Sequence, residues 1–298
     1  MEAPSISLSS QEKAWWGKTI QDFRKKYVKP PKYYADISVA KKNFTSESLR
    51  KNVESLLIDE REEIYNLFLA DESIMNGKVF AYLIENRPVP KSIFNDLVDS
   101  KILSYGLSNL SAAELKSRLV EVIGDYTGTV FPYLYDLCLS STNSRRSRAG
   151  TTFEALVEKS LDIYNYPYQN QSSLGTDFFK SHRIGKKVDL IIPGRKAYEE
   201  KRPNCAIVSV KTSLRERWQQ VVEELSRSNV PHIFLATLDD GITGNQLEIM
   251  KEYNITLIVR NSEKENKFST AGTVESFQSF FNNTIPHILA VWPNYSND

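Results

Sequence analysis

Apolar positions follow two regimes along the chain. Up to about residue 164 they recur at helical spacing, and beyond it they collect in short runs. A helix is predicted over about 11–27, capped by Ser9 or Ser10, with Trp15, Ile20 and Phe23 near one face and Pro30-Pro31 ending it. Ser46 opens another, in which Leu49, Val53, Leu56 and Leu57 keep the helical period. Further helices are predicted at about 59–70, 74–86, 91–100 and 112–123. The breaks between them are Asp71-Glu-Ser73, Arg87-Pro-Val-Pro90 and Ser108-Asn-Leu-Ser111. Residues 1–125 therefore read as an all-helical unit.

A turn-rich break is expected at 124–128, a helix at about 130–139, and then a polar, locally basic loop over 140–150. Arg145, Arg146 and Arg148 in that loop read either as a solvated surface or as phosphate contacts. Thr151 or Thr152 caps a helix to about Tyr164 through Phe153, Leu156, Val157 and Leu161, with Glu154 beside them. Then the period changes. Strands are predicted at 187–193, 205–210, 233–238 and 256–259. Helices are predicted from about 215 to 226, at 245–253, and at 274–283, the last resuming toward Trp292. Strands alternating with helices imply an α/β fold, a mixed sheet with helices on its faces.

Composition changes this picture little. The 298 residues allow one large domain or two moderate ones, and 41% hydrophobic with 25% charged content is ordinary for a globular chain. A net charge of +1 neither supports nor excludes a nucleic-acid partner. Cys138 and Cys205 have no metal-ligand spacing and read as buried small residues in a reducing compartment. The first residues lack a secretory pattern and no run approaches a membrane span, so the expectation is a soluble, cytoplasmic protein.

The chemistry gathers around the second predicted strand, which ends in Lys211. Asp189 sits in an otherwise apolar strand, an expensive position unless it is paired or binds a cation. If the 193–204 segment is a hairpin joining strands two sheet positions apart, Asp189 and Lys211 lie side by side. Glu224 on the helix after Lys211 and Glu154 on a helix below converge on the same point. Hard oxygen donors with open water positions suit Mg2+, which lowers the pKa of bound water and neutralises phosphoryl charge. Taken singly these residues have ordinary readings: an ion pair for Asp189, solvated helix positions for Glu154 and Glu224, a strand-end surface position for Lys211. His182, His232 and His287 are isolated and read as packing or surface residues.

At these residues the sequence resembles the Type II restriction endonucleases of the EcoRII, SsoII and NgoMIV group. The superfamily pattern is Pro-Asp followed by an acidic residue two before lysine. Here it reads Val188-Asp189 and Ser209-Val210-Lys211, with Ser209 departing from the acid. In that group the acid comes from the following helix, where Glu224 stands. The spacing of Glu154, Asp189, Lys211 and Glu224 is similar to SsoII-like members, and Lys211-Thr-Ser-Leu-Arg-Glu-Arg-Trp218 is the most specific match.

The resemblance implies Mg2+ held by Asp189 and Glu224, with Glu154 reaching it through water. Lys211 would orient the attacking water and stabilise the phosphorus. Attack would be in line, without a covalent intermediate, leaving a 5′-phosphate. Arg215 and Arg217 suit guanine and Glu216 suits cytosine in the major groove, with Ser213 just before them. A palindromic target of double-stranded DNA requires a homodimer at least. The implied core is CCGG or CCNGG, cut before the first C. Expelling a central base needs a stacking aromatic, and Trp15, Trp16 and Tyr82 read first as core. On this reading 126–298 is the catalytic domain, and 1–125 serves flanking DNA contacts or oligomerisation. A structure-selective nuclease and a non-catalytic DNA-binding module are the competing expectations.

Overall fold

A computed structural model describes residues 8–97, 111–182, 188–214, 219, 222 and 231–296. Contacts divide the chain into two discontinuous units. One unit combines 1–30 with 66–147, and the other combines 31–65 with 148–298.

The first unit is built from helices. α1 (Ser10–Tyr27) starts at a capping box between Ser9 and Glu12 and ends in Arg24, Lys25 and Lys26, charges that suit the two helix ends. Its buried Trp16 donates an indole N–H to the Tyr133 carbonyl at 2.9 Å. Trp16 is thus core, while Trp15 stacks on Tyr82 beneath the Arg87 guanidinium. α4 (Glu60–Asn86) runs without interruption through Asp71-Glu-Ser73, where a break was expected. The polar residue that suggested the break, Glu72, is buried and paired with Arg145. α5 (Pro88–Leu97) follows directly, its proline in the first turn, where the missing N–H has no helical partner in any case.

α6 (Ala112–Tyr164) is a single helix of 53 residues. It crosses both the expected break at 124–128 and the expected loop at 140–150. From Val130 on, buried positions carry it across the expected loop: Val130, Tyr133, Leu137 and Ser141, then Thr152, Phe153, Leu156 and Ser160, follow one another at helical intervals. Thr129 and Thr142 give their hydroxyls to the carbonyls four residues back, a bond that lets threonine sit inside a helix. Across 140–150 tertiary packing thus overrides the weak propensity of the serine-rich tract. Cys138 is exposed on this helix, against expectation, whereas Cys205 is buried.

In the second unit Pro31 opens a helix, α2 (Pro31–Lys42), where the sequence suggested only a stop. α3 (Ser46–Lys51) follows a Thr45 cap. The centre of the unit is a six-stranded mixed sheet in sequential order. β1 (Gln169–Asn170), β2 (Leu190–Ile192) and β3 (Ala206–Lys211) pair antiparallel. β4 (Ile233–Thr237), β5 (Ile255–Val259) and β6 (Val274–Ser276) continue from β3 in parallel. The apolar runs that predicted strands are buried on both faces, as parallel strands require.

Ile191, Ile207, Leu235 and Leu257 join a core with Phe178 of α7 (Gln171–Ser181), Tyr198 of α8 (Arg195–Lys201) and Met250 of the helix Gly244–Glu252. Phe234 meets Phe280 of a helical run over 277–289, with ring centroids 5.1 Å apart. Two expectations change here. The 193–204 segment carries α8, and β2 and β3 are neighbours rather than two positions apart. The helix expected from 274 begins as β6. Among the described residues no helix is long and apolar enough to cross a membrane.

Candidate active site

β2 is three residues long and wholly buried, and β3 is buried until its last residue, Lys211. Asp189 stands one residue before β2. Its N–H donates to the Val208 carbonyl at 2.9 Å, so the ladder runs one rung further and sets Asp189 against the end of β3. The carboxylate Oδ2 then accepts the Val210 N–H at 2.7 Å, the Lys211 ammonium at 2.8 Å and the Ser209 hydroxyl at 3.4 Å. Ser209 occupies the position that is acidic in the general pattern. Here it donates a hydrogen bond where an acid would add a second negative charge. Lys211 also donates to the Val210 carbonyl at 2.8 Å, which fixes its ammonium.

On the other side of Asp189 lies a cleft of about 190 Å³ lined by Glu154, Glu158, Asn170, Gln171, Ser172, Asp189 and Leu190. Glu154 and Glu158 are one turn apart on α6 and so share a helix face. Glu158 is held by the Asn170 amide at 2.9 Å. The Glu154 carboxyl is pushed up to about 7, first by burial and then by the negative charge of Asp189, with Lys211 opposing. Burial also raises Asp189, outweighing Lys211 and the three hydrogen bonds on Oδ2. Burial thus holds both carboxyls above their ordinary range beside one fixed ammonium.

Hard oxygen donors fit a magnesium-like ion, and Asp189 and Glu154 supply them. Among the described residues no group of three or more His, Cys, Asp or Glu side chains is close enough to hold a metal. The remaining acid expected from the sequence, Glu224, lies outside the described residues, as do Arg215, Glu216 and Arg217. Ser213 is described. Its hydroxyl donates to Asp239 Oδ2 at 3.2 Å, and the Leu214 N–H donates to the same oxygen at 2.6 Å. Asp239 Oδ1 accepts the Gly241 N–H at 2.9 Å. One carboxylate after β4 therefore ties down the two residues that precede Arg215.

The basic residues expected in a loop are helical. Arg145 is directed to buried Glu72, with Nε at 2.8 Å and Nη2 at 2.5 Å from Oε2. Arg146 is exposed on α6 and Arg148 is half-buried. The sequence reading missed Gln171, Glu158 and Asp239. A usable signal existed for the first: Asn170 and Ser173 form a capping box, a spacing that marks a helix start at Gln171.

A model of the EcoRII C-terminal family matches residues 116–280, more than half of the chain. The chain belongs to the EcoRII C-terminal family. The family's span includes Glu154, Asp189 and Lys211. The chain is 36% identical to the Type II restriction enzyme SsoII of Shigella sonnei over 66% of its own length and 64% of that enzyme's. It is 28% identical to the Type II restriction enzyme EcoRII of Escherichia coli over 56% of its length and 39% of that enzyme's. Each match thus spans less than two thirds of the relative. The fold is that of metal-depleted Ecl18kI, solved in complex with uncleaved, modified DNA. That likeness has a TM-score of 0.76 at 26% identity, covering 96% of this chain and 87% of the other. The sheet and its flanking helices are therefore restriction-endonuclease-like.

Proposed function

We propose that this chain is a Type II restriction endonuclease. It cuts both strands of double-stranded DNA at a palindromic site with a CCGG or CCNGG core, before the first C, and depends on Mg2+. One observation carries the reading: Asp189 is tied to Lys211 on one oxygen while it shares a cleft with Glu154. Membership of the EcoRII C-terminal family and the fold shared with DNA-bound Ecl18kI support it.

In this reading Asp189 and Glu224 would hold the ion, and Glu154 would reach it through water. Magnesium, when bound, supplies an activated water and neutralises charge on the phosphate. Lys211, held between Asp189 and the Val210 carbonyl, aims its ammonium where negative charge grows on the phosphorus oxygens. Water attacks the phosphorus in line, the bond to the 3′ oxygen breaks to give a 3′-hydroxyl end, and the other end keeps a 5′-phosphate, with no bond to the protein at any stage. Arg215, Glu216 and Arg217 read neighbouring G·C pairs from the major groove, each good bidentate contact discriminating by ~1–3 kcal/mol. Ser213 belongs to the same segment, and Arg146 and Arg148 contribute phosphate contacts. A symmetric target needs two such sites, hence a homodimer at least.

The test is digestion of a sequenced plasmid, with end mapping, in Mg2+ and in a chelator. Discrete fragments ending in 5′ overhangs at CCGG or CCNGG, absent with chelator, are expected. A smear, or a preference for branched DNA, would overturn the reading in favour of a structure-selective nuclease. Specific binding without cleavage in any divalent metal would leave a DNA-binding module.

A further inference from the structure

The two oxygens of Asp189 are used unequally. Oδ2 is full, with donors from Val210, Lys211 and Ser209. Among the described residues Oδ1 accepts one hydrogen bond, from Gln171 Nε2 at 3.1 Å. Two devices put Gln171 there. The β1–β2 ladder pairs Gln169 with Ile191 and Asn170 with Leu190, so the next rung sets Gln171 opposite Asp189. At that rung the reciprocal bonds of Asn170 and Ser173 turn the chain into α7. The same Gln171 nitrogen donates to the Val188 carbonyl at 2.9 Å, so both of its hydrogens are committed to the Asp189 region. A carboxylate oxygen has two lone-pair directions. Gln171 holds one, and the other is left for the cleft that Glu154 lines.

We infer that Gln171 is a positioning residue for the metal site: it fixes the plane of the Asp189 carboxylate so that Oδ1 offers its second lone pair to the ion. The inference rests on the reading of Asp189 as a metal ligand. Partners that orient a ligating carboxylate typically contribute about 10–100-fold in metal affinity.

The experiment titrates Mn2+ into the full-length protein bound to a duplex carrying the mapped site, reading free Mn2+ by electron paramagnetic resonance. Gln171→Met and Gln171→Ala should weaken Mn2+ binding about tenfold or more. Their melting temperature and metal-free duplex binding should stay at wild-type values. Half-maximal cleavage should need more metal, with the rate at saturating metal preserved. Wild-type Mn2+ affinity in both variants would overturn the inference, as would lower melting or lost duplex binding in both, which marks a merely structural role. If the wild type binds no Mn2+, or Asp189→Asn binds it normally, the ligand reading itself fails, and those two curves show it without any Gln171 variant.

Discussion

Glu60 and Asp189 are both buried carboxylates of the sheet-containing unit, and each is met by a lysine and a serine hydroxyl. Glu60 accepts from Ser38 on Oε2 and pairs with Lys42 through Oε1, so both of its oxygens are committed within the chain. Asp189 takes its lysine, its serine and a backbone N–H on one oxygen and leaves the other to a neutral amide at a cleft. The residue types are the same, and their distribution over the carboxylate differs. A buried ion pair alone is weak evidence for a site, because pairing is what any buried charge requires. In Asp189 one oxygen is saturated and the other holds a single amide beside a cleft that Glu154 also lines, the distribution on which the proposed metal site rests.

The largest expected contrast comes from removing each lysine. Lys211→Ala should lower cleavage by about 10²–10³-fold, the usual loss for a group that stabilises developing charge, while specific duplex binding persists. Lys42→Ala should lower the melting temperature and leave cleavage intact. Equal cleavage in the two variants would erase the distinction between the carboxylates.

Arg145 extends the comparison to a third buried acid. Its side chain is 45% exposed but that of Glu72 is 2% exposed, so Arg145→Ala strands a buried charge and should destabilise by ~2–3 kcal/mol in a denaturant titration. Unchanged stability with weaker DNA binding would return Arg145 to a phosphate contact.

Glu154 gives a pH signature. Its carboxyl stands at about 7 against an ordinary 4.5, so the folded chain binds that proton more tightly than the unfolded chain. The resulting stabilisation is complete below about 4.5 and disappears as pH rises through about 7. Without metal, the melting temperature of Glu154→Gln should gain on the wild type across that window, on the order of 2 kcal/mol in stability. Parallel melting curves would show that Glu154 is ordinarily solvated.

The smallest expected effect is at Asp239. Asp239→Ala frees the Leu214 N–H and the Ser213 hydroxyl just before Arg215. Specific duplex binding should weaken about tenfold, equivalent to roughly 1.4 kcal/mol, with little change on non-specific DNA. An equal loss on both would make Asp239 a fold residue alone.

Much of the sheet was legible because its central strands are apolar runs bounded by turns, and Asp189 drew notice because it interrupts one of them. β1 and β6, two and three residues long, are too short to show a period. The continuity of α6 was hidden because glycines and a serine-arginine tract look like punctuation, while the buried stripe from Val130 to Ser160 keeps its phase across the second of them. The pairing of Asp189 with Lys211 could be anticipated from two strand ends. For Gln171 the capping-box spacing marks the helix start, but only strand register shows that it meets Asp189, and Asp239 is brought to its place by a loop after β4 that carries no such signal.

The most direct test is single-turnover cleavage of the mapped duplex by Asp189→Asn in saturating Mg2+. The substitution keeps the shape of the side chain and removes its charge. A folded variant that binds the duplex and does not cut it is the predicted result. Cutting at the wild-type rate would contradict the account.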